Sequence, residues 1–186
     1  YQPGETMIIE IQGNKLEPIE RTDLVFKRAH VSIAVDYDIK RILDKYYLYA
    51  QLPTTQNNYT LFINNIATTI NGQAQTINYN QTFQVYGNLT EYSISPGFIV
   101  SNKDFSINVK SNLDQQATIN IDFPAERAVT LQPGTNTIQF SISSKTQGVY
   151  SAKIGKYDVP IHLTNKQQSN LSQEISIAVF PKIIRE

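Results

Sequence analysis

Glu5-Thr6-Met7-Ile8-Ile9-Glu10-Ile11-Gln12 is a short apolar run fenced by Pro3-Gly4 before it and Gly13-Asn14 after it. Met7, Ile9 and Ile11 alternate onto one face, as a β-strand requires. The run is far too short to span a bilayer. Chain ends fray unless something ties them down, so a strand here has to pair with a sheet. That sheet belongs either to this chain or to a neighbouring subunit.

The remaining sequence supplies sheets in abundance. Leu24–Tyr37 reads as one long strand with a bulge near Arg28, its face formed by Ala29, Val31, Ile33, Val35 and Tyr37. Ile39, Ile42, Leu43, Tyr46, Tyr47 and Ala50 are spaced like a helix face, so a helical turn is expected there, leading into a strand. Short strands follow at 59–64, 67–71, 75–79 and 82–86, with Asn71-Gly72 as a hairpin turn. Beyond Glu91 the alternation sharpens: Phe105, Ile107, Val109; Ile119, Ile121, Phe123; Ile138, Phe140, Ile142; and Ile175, Ile177, Val179 within a strand at Glu174–Phe180. The fold class expected is all-β: antiparallel Ig-like β-sandwiches with an N-terminal extended, donor-type strand. Residues 1–20 are read as extension and linker, 21–97 as a first β-rich domain, and 98–186 as an Ig-like domain.

Composition narrows the function classes. The formal net charge is zero and only 17% of the 186 residues are charged. There is therefore no basic stripe for nucleic acid and no polybasic patch for membranes. Uncharged polarity replaces charge: 16 each of Asn, Gln and Thr with 13 Ser, about a third of the chain. Together with 40% apolar residues this describes a β-rich surface protein. Cysteine is absent, which closes disulfide and thiolate-metal chemistry. A chain that starts at Tyr with no signal h-region is expected to be a mature secreted form.

Four N-x-S/T sequons are present, at Asn58, Asn80, Asn88 and Asn170. Each is an acceptor pattern for N-glycosylation, which needs solvent and a translocated chain. Chemistry-bearing motifs are otherwise sparse. His30 and His162 fall inside expected strands without a ligand pattern. Asp36-Tyr37-Asp38 puts two carboxylates at a two-residue spacing, which is weak for calcium. Glu126-Arg127 reads as an exposed loop pair. Tyr37, Tyr46, Tyr47 and Tyr49 form either a sugar-stacking platform or core and edge-strand tyrosines. The expectation is no enzyme, no catalytic or metal residues and no cofactor.

Val129-Thr130-Leu131-Gln132-Pro133-Gly134-Thr135 followed by Gly148-Val149-Tyr150 resembles the pattern of Ig-like modules in secreted prokaryotic proteins, over roughly residues 100–182. That resemblance implies a fold and not an activity; the Ig disulfide and core Trp are missing. With its apolar run Met7–Ile11, its sequons and its lack of cysteine, the whole chain resembles the subunit of archaeal thread filaments. Such subunits are glycosylated surface proteins linked by donor-strand complementation. The resemblance implies an extracellular homopolymer in which Met7, Ile8, Ile9 and Ile11 form the subunit contact. The alternative is a secreted Ig-like binding module for glycan, S-layer or an appendage; a secreted enzyme with an Ig-like half ranks third. Pairing of residues 5–12 within their own chain would exclude the filament reading outright.

Overall fold

A computed structural model describes residues 1–13 and 16–165. Seven strands build a first sandwich: β1 (Thr6–Ile11), β2 (Leu24–Arg28), β3 (Val31–Ser32), β4 (Asp36–Ile42), β5 (Lys45–Gln51), β6 (Asn57–Ile70) and β7 (Gln73–Val85). One sheet runs β1-β5-β4 and the other β3-β2-β6-β7. Inward residues such as Met7, Leu48 and Ala50 from one sheet meet Phe26, Tyr59, Leu61 and Ile63 from the other.

Eight strands build the second sandwich: β8 (Tyr92–Ser95), β9 (Ile99–Ser101), β10 (Phe105–Ser111), β11 (Ala117–Ile121), β12 (Arg127–Leu131), β13 (Gly134–Phe140), β14 (Gly148–Ile154) and β15 (Tyr157–Leu163). Its sheets run β13-β10-β8 and β12-β11-β14-β15-β9. β9 lies parallel to β15 while β8 lies antiparallel to β10, so the first strand is split between the two sheets. The Tyr150 hydroxyl donates to the Thr146 carbonyl at 2.8 Å. That is the tyrosine corner of an Ig sandwich, and Ala152, two residues on, stands fully buried where antibody domains place a half-cystine. The expected Ig-like fold is present, with apolar packing in place of the disulfide.

β1 does not play the donor role expected of it. It pairs antiparallel with β5 of its own chain, from Thr6↔Gln51 to Ile11↔Tyr46. Met7 is 1% exposed, and Ile9 and Ile11 pack on the same first core, so the alternation is as expected. Ile8, on the opposite face, packs against the second core. Met7, Ile8, Ile9 and Ile11 thus make intramolecular contacts and form no donor surface. The strand reads as nearly continuous apolar sequence because it has a hydrophobic neighbour on each face.

Thr6 completes this junction. Its hydroxyl donates to the Ile94 carbonyl at 2.8 Å and accepts from the Ile94 amide at 2.9 Å. The Thr6 amide donates to the Tyr157 hydroxyl at 3.3 Å, and that hydroxyl donates to the Tyr92 carbonyl at 2.9 Å. Around this chain of bonds, Lys156 pairs with Glu5 at 3.0 Å and Tyr49 meets Phe98 edge-on. A Cβ on Gly97 would come within 2.5 Å of the Tyr49 Cβ, so only glycine lets the two sandwiches approach this closely.

Burial pushes the Tyr157 hydroxyl up to about 12 from 10.0. The unfolded chain then ionises first, so the stability this group contributes is whole below pH 10 and falls as pH rises from 10 through 12. Urea unfolding across that range is expected to show the loss. Tyr157→Phe is expected to attenuate it and to lower stability at neutral pH by about 1–3 kcal/mol, since the Thr6 amide and Tyr92 carbonyl lose their partner.

Other expectations need correction. Leu24–Tyr37 is not one strand: Ala29-His30 is a tight turn with Ala29 at φ 53, and β3 folds back on β2. His30 is therefore an exposed turn residue, not a strand residue. No helical turn occupies 39–50; Leu43-Asp44 links β4 to β5 as a hairpin, and the turn resets the alternation into a helix-like spacing. The short strands between 59 and 86 are two long ones. Residues 1–20 are no separate extension, since β1 belongs to the first sandwich, and β8 moves the second sandwich's start from residue 98 back to about Tyr92. The strand expected at Glu174–Phe180 and the sequon at Asn170 lie outside the described residues.

Candidate functional site

The β6–β7 hairpin is the most unusual surface of the molecule. β6 has 14 residues and β7 has 13, joined by Asn71-Gly72 with both residues at positive φ, the mirror-image turn a two-residue hairpin favours. β2 supports β6 only between Tyr59 and Ile63. Past that point the hairpin continues as a two-stranded arm, with Leu16 reaching the Ala67 carbonyl at 2.8 Å. Among the described residues β7 is the edge strand of its sheet, and it is exposed from Gln73 through Thr82.

No Asp, Glu, Lys, Arg or His occurs anywhere from Tyr46 to Thr90, a run of 45 residues that contains the whole arm. Sheet edges are ordinarily blunted by charge, proline or bulges. β7 carries none of these; the register irregularity lies on β6, at residues 64–65. Charge averaged over the whole chain hides this site. The charge-free interval was the signal available.

On its inner side the arm borders a cleft of about 390 Å³, with Ile9, Ile11, Ile63, Ile66, Ile77 and Tyr79 among its lining. Ile77 and Tyr79 are 38% and 48% exposed. The sheet holding β1 has three strands against four in the facing sheet, so the inner face of β7 is left partly uncovered.

The outer side carries two of the sequon asparagines. Tyr59, Leu61 and Ile63 turn inward, which places Asn58, Thr60 and Phe62 outward, with their cross-strand neighbours Gln84, Thr82 and Asn80. Asn58 and Asn80 are exposed, and the hydroxyls of their sequon threonines, Thr60 and Thr82, lie 3.0 Å apart. Asn88 is exposed in the loop after β7, while its sequon partner Thr90 is fully buried.

The remaining candidates disperse. Tyr37 packs on Phe26, Tyr46 is core, Tyr47 donates to Glu10 and Tyr49 meets Phe98, so the four rings share no platform. Glu10 is held at about 2 by Lys45 beside it and by the Gln12 and Tyr47 hydrogen bonds, as an exposed structural pair. Asp38 caps the Ile39 amide. Arg127 opens β12 and donates to the Gln139 carbonyl. His162 sits in β15, far in sequence from His30. Among the described residues no group of three or more His, Cys, Asp or Glu side chains is placed to hold a metal. A cleft of about 620 Å³ at one end of the second sandwich includes Lys103, Asp104 and Lys145, but the Asp104 carboxylate accepts from the Ile142 amide. Among the described residues no helix is long and apolar enough to cross a membrane.

The chain is therefore a tandem of two antiparallel β-sandwiches, the second Ig-like, joined through β1 and bearing a protruding uncharged arm. No family model matches it, and no curated protein matches it in sequence. Three solved structures are similar in part. The native α-2-macroglobulin of Escherichia coli, domains MG0-NIE-MG1, aligns over 88% of this chain and 68% of its own, at 11% identity and TM-score 0.35. The I9–I11 tandem of titin aligns over 89% and 62%, at 11% identity and TM-score 0.27. The Bacteroides ovatus SGBP-B of a mixed-linkage glucan utilization locus, in complex with a heptasaccharide, aligns over 89% and 42%, at 14% identity and TM-score 0.27. At these scores none of the three bears on function, and the Ig-like assignment rests on strand order and the tyrosine corner.

Proposed function

We propose that this chain is a non-enzymatic contact module of an extracellular, N-glycosylated surface protein, with the β6–β7 arm as its working element. The observation that carries this reading is the arm itself: a long, unprotected edge strand within a charge-free interval. A strand so placed is a template for pairing with another chain. The sequons at Asn58, Asn80 and Asn88 support the extracellular setting. Head-to-tail donation of residues 5–12 has no part in it, because those residues are bonded to β5. Recognition of sugar by stacked tyrosines has none either, because the tyrosines diverge.

Protease treatment of intact cells that make the protein is expected to release peptides from residues 57–90 with glycan mass additions at the three asparagines. Recovery of those peptides only after lysis, and unmodified, overturns the location. Replacing Ala67–Thr76 by Asn-Gly shortens the arm where it is only two strands wide, so the folded melt is expected to persist. Such a chain is expected to lose retention in the assembled surface fraction; undiminished retention overturns the arm's role.

A further inference from the structure

We propose that the free edge of β7 docks a second copy of this chain, strand against antiparallel strand, about a two-fold axis at Asn78. This rests on the reading of the arm as a contact element and names its partner. The direction in which β7 offers its backbone is given at its far end, where Tyr1 donates to the Gln84 carbonyl and accepts from the Tyr86 amide, both at 3.0 Å. Even-numbered residues therefore face outward, and β7 carries no bulge to change that up to Gln73. The Gln81 side chain donates to the Thr82 carbonyl at 3.0 Å, which leaves Thr76, Asn78 and Asn80 as the open stretch.

An axis at Asn78 sets Asn78 against its own copy and Thr76 against the copy's Asn80. Every one of these pairs is of the hydrogen-bonding kind, about six backbone bonds in all. On the inner face the same register sets Ile77 against the copy's Tyr79 twice over. Aromatic against β-branched is a favourable cross-strand pair, and these two residues are among the arm's most exposed large apolar side chains.

The absence of charge selects a second copy over a foreign partner. Near a two-fold axis each residue meets itself or a close neighbour, so any charge there would face its like. A heterologous partner would tolerate charge on β7 and answer it with the opposite sign. β7 carries none over its 13 residues. The Asn80 side chain leaves the outer face, so its modification does not block the edge.

The test is sedimentation velocity on the full chain made in a host without N-glycosylation. A monomer–dimer equilibrium is expected. Thr76→Pro removes an outward amide that makes no bond to β6, and Asn78→Lys sets like charges together on the axis; each is expected to weaken dimerisation at least tenfold with an unchanged circular dichroism spectrum. The chain has no cysteine, so Asn78→Cys is expected to form a disulfide dimer on mild oxidation, whereas Gln84→Cys, out of register, is not. A chain that stays monomeric up to millimolar concentration, or variants that dimerise as tightly as the parent, overturns the proposal. A monomer whose shortened-arm variant still loses surface retention overturns the self-pairing while leaving the arm's contact role standing.

Discussion

Met7→Ala is expected to cost about 2–5 kcal/mol of unfolding free energy, the range for emptying a buried large aliphatic site. Met7 is 1% exposed and stands in the first core with Leu48 and Ala50 of β5 behind it. The edge position of β1 makes the effect larger than its six residues suggest, because the same strand carries Thr6 and Ile8 into the junction with the second sandwich. Loosening it disturbs both units. Denaturant unfolding of parent and variant measures the loss. The unfolding midpoint of the parent is expected to be independent of protein concentration as far as β1 is concerned, since its partner β5 is covalently attached. A variant such as Thr76→Pro, with the β7 edge blocked, gives the clean measurement. A midpoint that still rises with concentration in that variant would mean that β1 is exchanged between copies.

Gly155→Ala is expected to cost about 2–5 kcal/mol, combining overpacking with left-handed backbone strain. Gly155 sits first in the two-residue turn between β14 and β15 at φ +57, and a Cβ there would lie 2.0 Å from the Tyr92 hydroxyl oxygen. That oxygen cannot retreat freely. It accepts the Lys156 amide at 2.8 Å, and its ring packs edge-on against Tyr157 within the second core. Gly72→Ala supplies the comparison: its φ is +79, yet nothing lies within 4 Å of the added carbon. Only the backbone cost of about 1–2 kcal/mol is expected there. Equal losses at the two glycines would show that the Tyr92 contact is absorbed by relaxation. Thermal or denaturant melts of the two variants decide this.

Much of the architecture was legible because local chemistry and final structure agree. Phe105-Ile107-Val109 and Ile138-Phe140 alternate with period two and form facing strands of one sheet. Asn71-Gly72 demanded a tight hairpin, and the leucine–proline–glycine pattern ending at Thr135 with Gly148-Val149-Tyr150 pointed to an Ig-like module, though not to the tyrosine corner itself. Two expectations failed where two strands meet at a turn without glycine or proline. Ala29-His30 and Leu43-Asp44 reverse the chain with ordinary residues at positive φ, so no composition signal marked them. A reversal of that kind resets the alternation, and the summed pattern imitates a longer strand in one case and a helix in the other. The candidate site was half visible. Its sequons and its turn stand in the sequence, but the union of four expected short strands into two long ones depends on pairing across the hairpin.

Sequence alone determined that residues 6–11 form a strand with Met7, Ile9 and Ile11 on a buried face, because alternation and β-branching are properties of the segment itself. Which chain supplies the neighbouring strand is not such a property. Backbone amides and carbonyls are the same in every strand, so the partner is chosen by side chains distant in sequence. Here the Thr6 hydroxyl on Ile94, the Tyr157 hydroxyl on the Thr6 amide and the fit of Ile8 beside Gly97 make that choice. Tertiary structure alone therefore placed β1 inside its own chain, and left β7, among the described residues, as a long edge open to another.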